Sequence, residues 1–177
     1  MRSGFVLAAV MVAQLVGCGG PASTVPIACP QPGLLAEGAD LTRYRPGPVR
    51  DLTSLEFDAK LAGLNGDCRP GRGNRSIEMS LSTRFAVDRG PAAGQRVVDL
   101  PWFVAVIDAR DESILSRQRF TERVSFARNE TRTTGSSAPV TLSLPVSETR
   151  RAQDYRILVS FELTPEDLAL NRRRGPR

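Results

Sequence analysis

The side chains that could support catalysis in this chain are carboxylates and thiols, because the sequence contains no histidine. Without histidine there is no Ser-His-Asp triad, no imidazole general base and none of the commonest metal ligands. Asp108, Asp111 and Glu112 are near enough in sequence to form an acid/base pair, but their polar surroundings predict an exposed turn. We interpret them as surface charge, and we expect no enzyme activity, no cofactor and no bound metal.

The first of the three cysteines, Cys18, follows a short apolar segment. Arg2 precedes an apolar run over residues 5–16, which is shorter than the roughly 20 residues that cross a bilayer and is typical of a signal peptide. The run ends in Leu15-Val16-Gly17-Cys18, which resembles the lipobox of bacterial lipoproteins at all four positions. The resemblance implies that residues 1–17 are removed and that lipidated Cys18 anchors the chain in a membrane. Gly19, where aspartate would resemble an inner-membrane retention signal, favours the outer membrane facing the periplasm.

The two remaining cysteines, Cys29 and Cys68, form an even pair in an oxidising compartment once Cys18 is assigned to the lipid. We therefore predict a disulfide between them. Closing a loop of about 40 residues would stabilise the fold by roughly 4 kcal/mol in the chain-entropy model. The bond would join the start of the folded region to the first hairpin.

The chain has a net charge of +5, and four of these positive charges lie in its C-terminal tail. Setting aside Arg2 and the four arginines among the last six residues leaves equal numbers of basic and acidic residues, 19 of each. A neutral body argues against a nucleic-acid-binding face. We divide the chain into a signal peptide over 1–17, a lipidated N-terminus and linker over 18–33, one domain over 34–171 and a basic tail over 172–177.

The domain is dominated by alternating apolar and polar residues, which indicates β-strands with one exposed face. Such alternation, or a continuous apolar run, predicts strands over 55–61, 77–87, 97–109, 114–126, 140–145 and 155–163, with a possible edge strand near Leu41. Asn65-Gly66-Asp67 predicts a turn, and residues 128–137 predict a loop. Leu34 to Leu41 is compatible with a short helical turn or with irregular structure. The run from Trp102 to Ile107 predicts a central strand buried on both faces.

This pattern predicts an all-β fold, an antiparallel immunoglobulin-like β-sandwich of six or seven strands, with a small β-barrel as the alternative. Tyr155 favours the sandwich, because its position at the start of a strand resembles the tyrosine corner of immunoglobulin-like folds. Thr164-Pro165-Glu166-Asp167 has the form of a helix start, with Thr164 as N-cap and proline at the first position. We therefore expect a short C-terminal helix that ends near Asn171.

The residues 41–48 and 50–53, LTRYRPGP and RDLT, resemble a segment of small uncharacterised lipoproteins of Gram-negative bacteria. This resemblance implies no activity. We expect a non-catalytic domain that binds an unidentified envelope protein, and a candidate surface comprises Arg43, Tyr44, Arg45 and Arg50, with residues 128–137 as another. The alternative is a binder or carrier of a small molecule or glycan.

Overall fold

The computed structural model describes residues 28–48 and 50–175. The lipobox, Cys18 and the predicted signal peptide lie outside the described residues. Within the described part, the chain forms two β-sheets that enclose one core, and a C-terminal helix packs at their edge. The strands are, in chain order, β1 (Pro32–Leu34), β2 (Asp40–Tyr44), β3 (Leu55–Pro70), β4 (Ser76–Arg89), β5 (Val97–Asp108), β6 (Ile114–Ser125), β7 (Arg132–Ser136), β8 (Val140–Pro145) and β9 (Tyr155–Phe161), and the helix is α1 (Pro165–Arg174).

The first sheet has the order β1-β9-β5-β6 and the second has the order β2-β3-β4-β7, with β8 also paired to β4. All pairs are antiparallel except β1 with β9. The two sheets remain separate, so the predicted all-β sandwich with a short C-terminal helix is confirmed and the alternative of a closed barrel is wrong. β2 is the edge strand that the Leu41 segment predicted. The two strands beyond the predicted six or seven are β1 and β7.

Alternate residues of the strands supply the core, as the sequence pattern predicted. In β4, every second residue from Ile77 to Val87 is buried. Phe85 of β4 meets Trp102 and Phe161 of the opposite sheet, with ring centroids 5.7 Å and 6.0 Å away. Burying a side chain of this size stabilises the folded state by roughly 1.5–3 kcal/mol. These aromatic contacts join the two sheets at the centre of the sandwich.

β5 is central in its sheet, but its two faces differ. Its inward residues are buried, whereas Val97 on the outer face is 40% exposed and Phe103 is half-buried. The guanidinium of Arg117 lies 3.8 Å from the centroid of the Phe103 ring. The prediction of burial on both faces is therefore wrong for part of the strand, because on the outer face a stacked arginine covers Phe103 and Val97 stays exposed.

The hairpin between β3 and β4 turns later than the sequence suggested. Asn65, Gly66 and Asp67 continue in β3, where they pair with Ser82, Leu81 and Ser80. The turn lies at residues 71–75, where Gly73 and Asn74 adopt positive φ angles of 63° and 55°. Glycine and asparagine tolerate this left-handed conformation best, which explains the site of the reversal. The predicted turn at residues 65–67 is wrong.

The segment 128–137, predicted as a loop, contains strand β7. Residues 132–136 pair antiparallel with Arg84–Asp88 of β4. The segment is short and contains no apolar residue, so its strand character comes from the partner and not from local hydrophobicity. Between Leu34 and Leu41, a 3-10 turn at Ala36–Gly38 separates β1 from β2, so both compatible readings of this segment were partly right.

Cys29 and Cys68 form the predicted disulfide, with their Cα atoms 5.9 Å apart. Cys68 belongs to β3 of the second sheet, and Cys29 precedes β1 at the edge of the first sheet. The bond therefore joins the two sheets as well as the start of the domain to the first hairpin. β1 begins at Pro32, within the segment that the sequence analysis assigned to the linker.

Candidate functional site

The predicted surface around Arg43 lies where β2 ends and the C-terminal helix begins. Arg43 Nη1 donates to Asp167 Oδ2 at 2.5 Å, and Arg50 pairs with Glu166. Arg45 Nη2 donates to the Ala92 carbonyl at 2.9 Å. These arginines therefore bind groups of their own chain and hold α1 and a neighbouring loop against β2.

Tyr44 belongs to the same contact region. Its hydroxyl accepts a hydrogen bond from Arg174 Nη2 at 2.6 Å, near the end of α1. The helix continues through Arg172, Arg173 and Arg174, so these three residues of the basic tail belong to α1. Together with the helix, the predicted surface borders a shallow groove of about 220 Å³. The structure brings Arg43, Tyr44, Arg45 and Arg50 together, and each has a partner within the domain.

Local chemistry fixes the start of α1 as predicted. Thr164 and Asp167 form a capping box, in which Asp167 N donates to Thr164 Oγ1 and Thr164 N donates to Asp167 Oδ2. Partial burial acts to raise the pKa of Asp167, but hydrogen bonds from Arg43 and Thr164 outweigh it, so this pKa lies below its usual range. Asp167 therefore stays ionised near neutral pH and serves both the cap and the ion pair.

Asp108, which the sequence predicted as an exposed turn charge, is 3% exposed. Its carboxylate accepts hydrogen bonds from Arg110 at 3.0 Å and 2.7 Å, and it pairs with Arg150 of the loop before β9. The hydrogen bonds from Arg110 and the charge of Arg150 hold the pKa of Asp108 well below its usual range. The exposed-charge interpretation is wrong for Asp108, whose carboxylate joins two loops.

The two other carboxylates of this turn have different contacts. Asp111 Oδ1 accepts from Ser113 N at 3.0 Å, and Glu112 pairs with Arg156 at 3.2 Å. Each therefore binds a separate group, and neither contacts the partners of Asp108 in these interactions. Asp111 and Glu112 therefore each stabilise the local structure through a contact of their own.

The open edge of the first sheet is a surface that the sequence analysis did not propose. β6 pairs with β5 on one side, and its first residues, Ile114 and Leu115, are 65% and 41% exposed. A groove of about 350 Å³ runs beside it, lined by Trp102 and Phe120 and, across the gap, by residues 137–141. Trp102 and Phe120 are in contact, with ring centroids 4.8 Å apart.

One buried polar atom beside this groove has no hydrogen-bond partner among the described residues. The indole Nε1 of Trp102 is buried without a hydrogen bond. Burial raises the pKa of Glu122, which also lines the groove. Because buried polar groups in folded proteins are nearly always satisfied, the unsatisfied indole of Trp102 marks a position where a ligand could bind. The sequence carried a signal for this surface, since apolar Ile114 and Leu115 begin a strand rich in outward arginines.

Two further findings concern metals and membranes. The described residues contain no group of three or more cysteine, aspartate or glutamate side chains placed to hold a metal ion. No helix in residues 28–48 or 50–175 combines the length and apolar character needed to cross a bilayer.

Comparison of the chain with protein-family models, with curated proteins and with solved structures finds no match to any of them.

Proposed function

We propose that this protein is a lipid-anchored lipoprotein of the cell envelope, and that its β-sandwich is a non-catalytic domain that binds another protein in the periplasm. The observation that carries this proposal is the lipobox-like sequence Leu15-Val16-Gly17-Cys18. Diacylglycerol on the Cys18 sulfur and an acyl chain on its amine would give the two or more chains that stable anchoring requires. The disulfide supports the same compartment, because such bonds persist in oxidising environments.

The sandwich supports the binding role through its edges. β2 and β6 each end a sheet and pair on one side. Edge strands offer backbone donors and acceptors that a partner segment can use. A binding role is favoured over catalysis, because the chain lacks histidine and because structural contacts engage Cys29, Cys68 and Asp108. We place the anchor in the outer membrane, on the basis of Gly19.

The alternative, a carrier of a small molecule or glycan, is supported by a groove of about 460 Å³ beside α1. Its volume is within the range of ligand pockets, about 300–1,000 Å³. Its polar side chains, however, already bind the protein: Asn171 Nδ2 donates to the Glu37 and Asp40 carbonyls at 2.8 Å, and Arg172 pairs with Glu37. We therefore rank this function second.

The test is co-purification of the full chain, tagged at its C-terminus, from gently solubilised envelopes, with mass spectrometry of the protein and of whatever accompanies it. We expect Cys18 to carry diacylglycerol on its sulfur and an acyl chain on its amine, and we expect a stoichiometric protein partner. Cys18→Ser is the matched control, and it should leave the protein unlipidated and reduce its membrane-bound fraction.

Two outcomes would contradict the proposal. If wild-type and Cys18→Ser proteins distribute identically between membrane and soluble fractions, Cys18 is not an anchor. If the lipidated protein comes alone but carries a bound small molecule or glycan, the carrier function replaces the protein-binding function.

A further inference from the structure

The free side of β6 exposes unsatisfied backbone groups, and the register shows which ones. Phe126 N donates to the Arg96 carbonyl, so residues 96 and 126 form a hydrogen-bonded pair. Such pairs alternate along an antiparallel ladder, and in the β5–β6 register the bonded residues of β6 are therefore the even-numbered ones. The odd-numbered residues direct their N–H and C=O groups away from β5.

Pro101 supports this assignment independently. It lies opposite Thr121 of β6, and its carbonyl accepts from Glu162 N on the β9 side, which directs its backbone away from β6. Proline has no N–H to give to a ladder, so its place in a non-bonded pair is expected. The backbone N–H and C=O groups of Arg117, Arg119 and Thr121 therefore face the open edge.

The uncovered part of β6 ends where β7 begins to cover it. Thr133 Oγ1 of β7 donates to the Ser125 carbonyl at 3.3 Å, and Gly135 lies beside Val124. β7 therefore covers the last residues of β6. Among the described residues, no strand pairs with the outward side of residues 117–121. This length matches a short β-strand.

The side chains on the two faces of β6 indicate what kind of strand could pair with its free edge. The even-numbered residues Gln118, Phe120 and Glu122 line the groove beside Trp102. On the other face, Arg119 and Arg123 are 62% and 72% exposed. A strand added to β6 would place alternate residues in the groove and beside the arginines.

The charges favour a partner over a second copy of this chain. Arg117 and Arg119 share one carboxylate, Glu162, and Arg123 pairs with Asp99, so three guanidinium groups face two acids. Exposed ion pairs of this kind are weak, and an incoming carboxylate can compete for them. Two copies joined through β6 would instead place arginine rows side by side, which is unfavourable.

We propose that β6 accepts an extended segment of another protein as an additional strand, and that this segment alternates acidic residues, beside the arginines, with apolar residues, in the groove lined by Trp102 and Phe120. This inference rests on the proposed protein-binding function and names its surface and the chemistry of its partner. The partner's backbone would satisfy the outward groups of Arg117, Arg119 and Thr121.

A competing explanation is that the arginines and the inward Glu122 only protect the edge against aggregation, as charges on edge strands often do. The two explanations differ in their consequence, because a protected edge binds no strand. The experiment therefore selects binders of the full-length chain from a display library of short random peptides and measures their affinities.

We expect the selected peptides to alternate acidic and apolar residues. Thr121→Pro removes one outward N–H without breaking a bond to β5, and it should weaken binding about tenfold or more. Thr121→Ala keeps the N–H and measures what the side chain alone contributes, so it should weaken binding less than Thr121→Pro does. Thr134→Pro is the matched control, because Thr134 also directs its N–H outward, from β7, and it should not change the affinity.

A second pair of variants keeps the test decisive if Thr121→Pro does not fold. Arg119→Gln should weaken binding of the acidic peptides severalfold, whereas Arg132→Gln, which removes a similar exposed ion pair with Asp88 on the other sheet, should not. Circular dichroism and melting temperatures check the folding of each variant.

The proposal fails if no peptide is enriched, if the enriched peptides lack the alternation, or if neither Thr121→Pro nor Arg119→Gln weakens them. It also fails if the wild type is a dimer that Thr121→Pro dissociates, because a second copy would then fill the edge. A co-purified envelope protein that still binds the Thr121→Pro variant would leave the proposed function intact and overturn this inference alone.

Discussion

Asp108 shows how one buried carboxylate can organise two loops. It ends β5, and its partners Arg110 and Arg150 come from the turn after β5 and from the segment between β8 and β9. Removing one partner of a buried charge leaves the others unpaired, which is costly. Asp108 therefore holds the turn after β5 and the segment before β9 together at this end of the sandwich.

We expect Asp108→Asn to destabilise the protein at neutral pH, measured as a lower free energy of unfolding in urea. Because the folded-state pKa of Asp108 is depressed, its contribution is present above the unfolded-state value of about 3.9 and is lost as the pH falls below it. The difference between wild type and variant should therefore be larger at pH 7 than at pH 3.

Asp67→Asn is the control for this measurement, because Asp67 is exposed. Its unfolding free energy should stay within about 0.5 kcal/mol of the wild type. A difference for Asp108→Asn that does not change between pH 7 and pH 3 would contradict the bridging role.

At the scale of elements, helix α1 depends on contacts with the chain before β2 and at β2 itself. Asn171 is buried, and its amide donates to the carbonyls of Glu37 and Asp40. Arg43 adds the ion pair with Asp167. A helix of ten residues is marginal alone, so these tertiary contacts hold it in place.

Asn171→Ala should loosen α1, because it leaves two carbonyls unsatisfied at a cost of about 2 kcal/mol. We expect faster amide hydrogen exchange throughout α1 in this variant. Arg173→Ala, at an exposed position of the same helix, is the control and should preserve protection. Equal exchange rates in the two variants would show that Asn171 does not hold the helix.

At the scale of the whole molecule, the disulfide is the covalent link between the two sheets. It joins positions 39 residues apart in sequence, and the loop between them contains β1, β2 and most of β3. Restricting the unfolded chain in this way should stabilise the folded domain. The aromatic contacts among Phe85, Trp102 and Phe161 join the same two sheets without a covalent bond.

The double variant Cys29→Ser/Cys68→Ser should lose about 4 kcal/mol of unfolding free energy, which is measured by urea denaturation of the full chain. Both proteins in the comparison carry Cys18→Ser, so that neither has a lipid anchor and the disulfide is the only difference between them. If the double variant were as stable as the protein with the disulfide, removing the bond would have added little conformational freedom to the unfolded chain, and the prediction would be wrong.

The sequence by itself determined the features that depend on local patterns. Alternation from Ile77 to Val87 gave the strand and its buried face, and the Thr164 capping box located the helix start, because side chains within a few residues decide both. The cysteine pair could be assigned because only Cys29 and Cys68 remained after Cys18. The Tyr155 hydroxyl donates to the Pro145 carbonyl, a contact to upstream backbone of the kind that the tyrosine-corner resemblance implies.

The tertiary structure alone decided which segments became partners. Residues 132–136 form a strand because β4 pairs with them, and the hairpin passes through Asn65-Gly66-Asp67 because β4 continues that far. Asp108 is buried because Arg150 meets it from a distant loop. The free edge of β6 follows from the order of strands, and no local pattern encodes that order, since pairing depends on residues far apart in the chain.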